Sequence, residues 1–310
     1  MITIQDIAFV RYQATDLGKM ESFLSDFGMQ RSAITGNALY MRGTGDSHHI
    51  HVTQLGDTNK ALGFGLRAGS AQDLTEFSGR IGAPVEDNPE PGGGCRVRFT
   101  DPAGFVVDVI HGQQRLPLLP TRPTIARNDA SSRNRVGQPV RVQVQPSHVV
   151  RIGHVLGAAA DLKSTLAFYT QNLGFRVSDR YWGGVEENTV AAFLHCGLGE
   201  RWTDHHTLAF VQAADGVSRM DHSAFEVLDF DDVYQGGAHL EKCGYTRSWG
   251  IGRHVQGSQV FDYWRDPFDN KIEHWTDGDL VNDDSPVGHA PISPDGLAQW
   301  GSPLTPEFFR

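Results

Sequence analysis

The chain has few of the features that mark a disulfide-stapled, membrane-spanning or nucleic-acid-binding protein. Its three cysteines, Cys95, Cys196 and Cys243, are isolated and odd in number, which rules out a fully paired disulfide framework and any CxxC zinc motif. No apolar run approaches the roughly 20 residues that cross a bilayer as a helix. The first residues, MITIQDIAFVRYQ, lack the basic start and apolar stretch of a secretory leader, so a cytoplasmic location is expected. Positive charge is also scarce. The 27 Lys and Arg against 37 Asp and Glu give a net charge of −10, which repels phosphate backbones and anionic bilayers, so neither nucleic acid nor a membrane is expected as a partner.

What is present is enough chain for about two domains: 310 residues, 39% hydrophobic and 21% charged, a globular composition. One pattern recurs four times. A short apolar strand leads to an Asp followed by an apolar residue, at Asp16-Leu17, Asp73-Leu74, Asp161-Leu162 and Asp232-Val233, and a helical stretch then ends at Gly28, Gly82, Gly174 and Gly244. Asp accepts hydrogen bonds from the unpaired amides of a helix start, and Gly adopts the left-handed conformation of a helix end. Strand-like segments follow each helix: ALYMRG and HHIHVTQL, CRVRFT and FVVDVI, VAAFLHC and HTLAFVQ, QVFDYW and KIEHWT. The turns DPAG at Asp101–Gly104 and DPFDN at Asp266–Asn270 join two of these pairs. The unit reads βαβββ, and two units are needed to bury one apolar face, so an α+β protein of two domains is predicted.

The expected division is an N-terminal repeat domain over 1–113, a linker over 114–147 rich in Pro, Arg, Asn and Ser, a C-terminal domain over 148–279, and an irregular tail over 280–310. The tail carries Trp300 and Phe308 and reads equally as a surface tail, a lid or a subunit contact. Association into a homo-oligomer is expected.

Three residues stand at matching stations of the C-terminal units: His154 in RIGHVLG, His222 in DHSAFEV and Glu273 in NKIEHWT. Two imidazoles and a carboxylate on one face of a metal leave the other face open, the arrangement used by non-haem Fe(II) oxygenases. Glu226 is the rival carboxylate. These residues, with DHHTLAF and GRHVQGSQVFDYW, resemble the type I extradiol (meta-cleaving) catechol dioxygenases of the vicinal oxygen chelate superfamily. The spacing of nine residues from His254 to Tyr263 and ten from Tyr263 to Glu273 is similar to that family's own. The resemblance covers about 1–112 and 148–277 and implies the vicinal oxygen chelate, or glyoxalase-like, fold. It also implies Fe(II), with Mn(II) as the alternative, held by His154, His222 and Glu273, and O2-dependent opening of a catecholic ring in aromatic-compound degradation. His206 then corresponds to an acid–base histidine, while His254 and Tyr263 correspond to substrate-contacting residues.

Two other readings stay open at this point: a glyoxalase- or epimerase-type metalloenzyme of the same fold, and a metal-free small-molecule binding protein. The cluster His48, His49 and His51 has no carboxylate at a recognisable station. PGGGC at Pro91–Cys95 leads into a strand and so lacks the helix start that cradles phosphate. Aligning the two halves on their helix starts and DP turns sets Phe9 against His154, Gly63 against His222 and Asp108 against Glu273. The N-terminal half should therefore hold no catalytic metal.

Overall fold

The computed structural model describes residues 2–309, leaving Met1 and Arg310, the outer limits of the expected division, outside the described residues. Its four βαβββ units build two large sheets. The N-terminal sheet has eight strands, running from edge to edge as Gln30–Ile34, Ala38–Arg42, His51–Leu55, Ile4–Ala14, Lys60–Ala68, Val106–His111, Cys95–Thr100 and Val85–Asp87. The C-terminal sheet has ten, in the order Gly288–Pro291, Phe175–Trp182, Thr189–Cys196, Leu208–Gln212, Val149–Ala159, Arg219–Val227, Lys271–Thr276, Val260–Arg265, Arg247–His254 and Ala298–Gly301. In each sheet the opening strands of the two units pair antiparallel at the centre.

The helices are α1 (Leu17–Phe27), α2 (Ala71–Ile81), α3 (Leu162–Asn172) and α4 (Phe230–Lys242). Asp16 and Asp161 cap α1 and α3 as the sequence suggests. The other two starts differ. Helix α2 is capped by Ser70 and α4 by Asp229, three residues before the expected Asp73 and Asp232. In α2 the Ser70 hydroxyl accepts from the Asp73 amide at 3.0 Å and donates to the Asp73 carboxylate at 2.6 Å, a reciprocal cap in which an acidic third residue looks like the cap itself. Asp232 is instead drawn inward and accepts from the amide and ring nitrogen of His148. Gly28 ends α1 at φ 114°, with the Ser147 carbonyl oxygen only 2.1 Å from where a Cβ would stand, so Gly is required there twice over.

The tail is less irregular than its composition suggests. Leu280–Val281 pairs with Thr203–Asp204, Gly288–Pro291 with Phe175–Trp182, and Ala298–Gly301 with Arg247–His254. One continuous hydrophobic core runs through both halves, from Phe23, Phe27 and Phe64 to Tyr169, Phe210 and Phe225. Across it the His274 ring stacks on Phe27 at 3.7 Å and donates from Nε2 to the Phe27 carbonyl.

Candidate metal centre

The three central strands of the C-terminal sheet place His154, His222 and Glu273 on one face for a simple reason of register. His154 and Glu273 both pair with Ala224, on the strand between them. His222 lies two residues before Ala224, and residues two apart on a strand share a face. Ala224 puts only a methyl group at the middle of this triangle. The register slips on either side of it, leaving Gly153 unpaired beside His154 and Asp221 unpaired beside His222. Such bulges re-aim neighbouring side chains. Here the slip lets Asp221 turn onto the residue next to it, its Oδ1 accepting from His222 Nδ1 at 2.7 Å.

His154 Nε2 and His222 Nε2 approach Glu273 Oε2 at 3.3 and 3.4 Å. All three side chains are buried, and neither oxygen of the fully buried Glu273 carboxylate has an aligned hydrogen-bond donor. A buried carboxylate without donors is costly, and a cation shared with two imidazoles removes that cost, so the residues present fit a divalent metal. Burial pushes the Glu273 carboxyl up, but the imidazoles of His154, His222 and His254 outweigh it and hold it below its usual range. Burial pushes His154 down, with Glu273 offsetting it only in part, so the ring is neutral, the form that ligates metals. By accepting from Nδ1, Asp221 fixes the His222 ring with its Nε2 toward Glu273. Asp221 is itself held by Lys271 Nζ at 3.1 Å to both oxygens. Although burial opposes its charge, Lys271 and His222 keep its carboxyl well below the usual range.

Beside this set lies a cavity of about 180 Å³ whose lining includes His206, His254 and Tyr263. The HTLAFVQ segment forms a shorter strand than expected, so His206 sits in the loop ahead of it, its ring 4.1 Å from that of His154. A buried chain of contacts fixes it. Asp179 Oδ2 accepts from His205 Nε2 at 2.7 Å, and His205 Nδ1 meets His206 Nδ1 at 3.1 Å. With its Nε2 proton donated to Asp179, a neutral His205 offers a lone pair at Nδ1. His206 then carries its proton at Nδ1 and leaves Nε2 bare. Burial, with the neighbouring imidazoles, pushes His206 well down, which keeps it neutral. His254 Nδ1 donates to the Leu297 carbonyl at 2.9 Å, so its Nε2 accepts the Tyr263 hydroxyl proton at 2.8 Å. The Tyr263 oxygen is thereby left as an acceptor.

The weaker candidates fall outside this constellation. Glu226 is paired with Arg151. His48 and His49 meet each other through Nδ1 at 3.2 Å, and His51 stacks on Tyr12. The sequence reading missed Asp179, His205 and Asp221. Only the adjacent histidines of DHHTLAF hinted at a pair, and nothing local marks Asp179. It also missed Asp26, His239 and Cys243, whose donor atoms cluster where α1 meets α4.

Comparison with known proteins identifies the family. Residues 151–274 match the Glyoxalase/Bleomycin resistance protein/Dioxygenase superfamily. Metapyrocatechase 2 of Cupriavidus necator is 34% identical over 253 residues, covering 80% of this chain and 73% of that protein. The chain belongs to the extradiol (meta-cleaving) dioxygenases of the vicinal oxygen chelate superfamily. Two solved structures share the dioxygenase's fold. The Mn(II)-bound glyoxalase from Novosphingobium aromaticivorans superposes with a TM-score of 0.81 at 23% identity, over 99% of this chain and 94% of that one. Homoprotocatechuate 2,3-dioxygenase from Brevibacterium fuscum, solved with 3,4-dihydroxyphenylacetate, gives 0.77 at 21%, over 99% and 92%. Family membership makes this an oxygenase with a catalytic metal ion, and no described helix is long and apolar enough to cross a membrane.

Proposed function

We propose that this dioxygenase opens a catechol with Fe(II) held by His154, His222 and Glu273. The observation that carries the reading is the buried Glu273 carboxylate, which has no aligned hydrogen-bond donor and faces the Nε2 atoms of two histidines that line the cavity. Bound there, Fe(II) would supply the electron path that lets a singlet catechol react with triplet O2. One carboxylate against a divalent ion leaves net positive charge, which a singly ionised vicinal diol neutralises.

The chain's own residues supply orientation and proton transfer. Tyr263 accepts a hydrogen bond from the bound substrate because its own proton is committed to His254, and the Leu297 carbonyl fixes His254 in the required tautomer. His206 presents an unprotonated Nε2 that takes a catechol proton and later returns one. Asp179 and His205 set that tautomer. The cavity-lining carboxylate Asp221 is locked by Lys271, leaving no free carboxylate base among the described lining residues for the isomerase chemistry of the alternative reading. The N-terminal half, 1–113, serves as scaffold. A cytoplasmic setting suits ferrous iron and three unpaired cysteines.

Anaerobic loading with Fe(II) or Mn(II), followed by catechol and air, tests the reading. We expect O2 uptake and a yellow ring-opened product with Fe(II), at one metal per chain. His222→Ala and Glu273→Ala should lose both metal and turnover. Full activity and normal metal content in either variant would defeat the ligand assignment.

A further inference from the structure

The cavity's charge inventory separates catechols that differ only in their substituent. Among the described residues its lining contains no Lys or Arg, and the one carboxylate there, Asp221, is already bound to Lys271 and His222. Beyond the imidazoles and Tyr263 the walls are apolar, with neutral Gln256 and Gln259 between them. One wall is Phe193, set edge-on to the His206 ring at 4.9 Å and flanked by Tyr181 at 6.0 Å. The other is Trp249, which stacks along Tyr263 at 5.9 Å.

The C-terminal segment completes that second wall. Phe308 packs on Trp249 at 4.9 Å and on Tyr263 at 5.3 Å, and Leu297 also lines the cavity. The segment is tied down at several points. Trp249 Nε1 donates to the Ser302 carbonyl at 2.8 Å, Tyr181 to the Gly296 carbonyl at 3.1 Å and Ser248 to the Glu307 carbonyl at 3.1 Å. The nearest described cation, Lys271, lies over the Phe308 ring at 4.1 Å with its Nζ already bound to both Asp221 oxygens, so a carboxylate on the substrate would meet no free counter-ion among the described residues, and burying an unpaired charge is strongly unfavourable. An alkyl or aryl group would meet ring faces and aliphatic surface, where apolar burial is favourable.

Resting on the dioxygenase reading, we propose that the substrate is a catechol bearing an uncharged apolar substituent, and that Leu297 and Phe308 of the C-terminal segment select it. The tail is thus a specificity wall of the site.

The test uses pairs matched in length: 3-propylcatechol against 3-(2,3-dihydroxyphenyl)propanoate, with the 4-substituted pair alongside. The Fe(II)-loaded protein is titrated with each compound without O2 and then assayed by O2 uptake. We expect the propyl compound to bind more tightly and to exceed the carboxylate in kcat/KM by roughly 100-fold or more, because the charge has no partner. Leu297→Arg, which places a cation at the wall and keeps the backbone carbonyl, should narrow that ratio at least about tenfold. Phe308→Ala should weaken the propyl compound more than unsubstituted catechol. Equal or tighter binding of the propanoate by the unaltered protein overturns the proposal. So does a ratio unmoved by both variants, which would remove the tail from specificity. If no catechol is opened but the propyl compound still binds more tightly, the dioxygenase reading fails and the substituent preference stands.

Discussion

Asp108 occupies in the N-terminal sheet the position that Glu273 occupies in the C-terminal one: Asp108 pairs with Gly65, which pairs with Phe9, as Glu273 pairs with Ala224, which pairs with His154. The same register sets Arg98 opposite Asp108 where Tyr263 stands opposite Glu273. Arg98 binds both Asp108 oxygens, at 2.6 and 2.7 Å, and Arg11 reaches it at 2.9 Å. Two guanidinium groups thus stand in the N-terminal half where the C-terminal half presents a carboxylate without donors. Phe9 and Gly63 stand at the stations of His154 and His222, as the sequence alignment of the halves expects.

Asp108→Asn should therefore leave metal content unchanged at one ion per chain while lowering stability. Removing a carboxylate from buried Arg11 and partly exposed Arg98 costs about 3 kcal/mol, the lower end for a broken buried pair because solvent reaches Arg98 and Glu90 still faces Arg11. Denaturant unfolding beside elemental analysis reads both quantities. A metal content that falls with this variant would show that the N-terminal half is not silent.

His206→Asn and Asp179→Asn should both keep metal and bind catechol anaerobically. We expect His206→Asn to lower kcat by roughly 10²–10⁴-fold, the usual loss for an acid–base group. Asp179→Asn should lower kcat by a smaller factor with KM little changed, because an amide no longer dictates which His205 nitrogen carries the proton. Loss of iron from His206→Asn would make His206 a ligand instead.

Asp221→Asn retains the size of the side chain but not the charge that orients His222 and balances Lys271. Metal affinity should fall roughly 10–100-fold, as for other hydrogen-bond partners of ligating histidines. Competition against a chelator of known strength measures it. An unchanged affinity would mean that the His222 ring is oriented by packing alone.

His51 makes a prediction about acid. Burial pushes its imidazole down to about 3, where it stacks on Tyr12 at 5.1 Å. In the unfolded chain the same ring takes up a proton near pH 6.5, about the ordinary value. Its contribution to stability is thus complete above that pH and is lost as pH falls toward 3, at up to ~1.4 kcal/mol per unit. His51→Gln should show a shallower fall of unfolding free energy between pH 6 and 4, by up to about one proton. An unchanged slope would place His51 protonation outside the acid transition.

The sequence by itself determined the parts that depend on short-range physics. Alternating strands, Asp caps at Asp16 and Asp161, and glycines with positive φ at Gly28, Gly82, Gly174 and Gly244 are local devices, and each was legible. The caps at Ser70 and Asp229 were less so, because an Asp at the third position of a helix carries the same local signal as an Asp at the cap. His154, His222 and Glu273 could be picked out by residue type and repeat position. Only the tertiary structure decided that they meet, through a shared register with Ala224 and two bulges that no single strand encodes. It also joined Asp179 to His205 across 26 positions and His254 to Leu297 across 43, and it set Phe308 on Trp249. The physical reason is that such contacts form between segments whose individual patterns read only as strand, loop or tail, so their partners exist only once the sheet has closed around them.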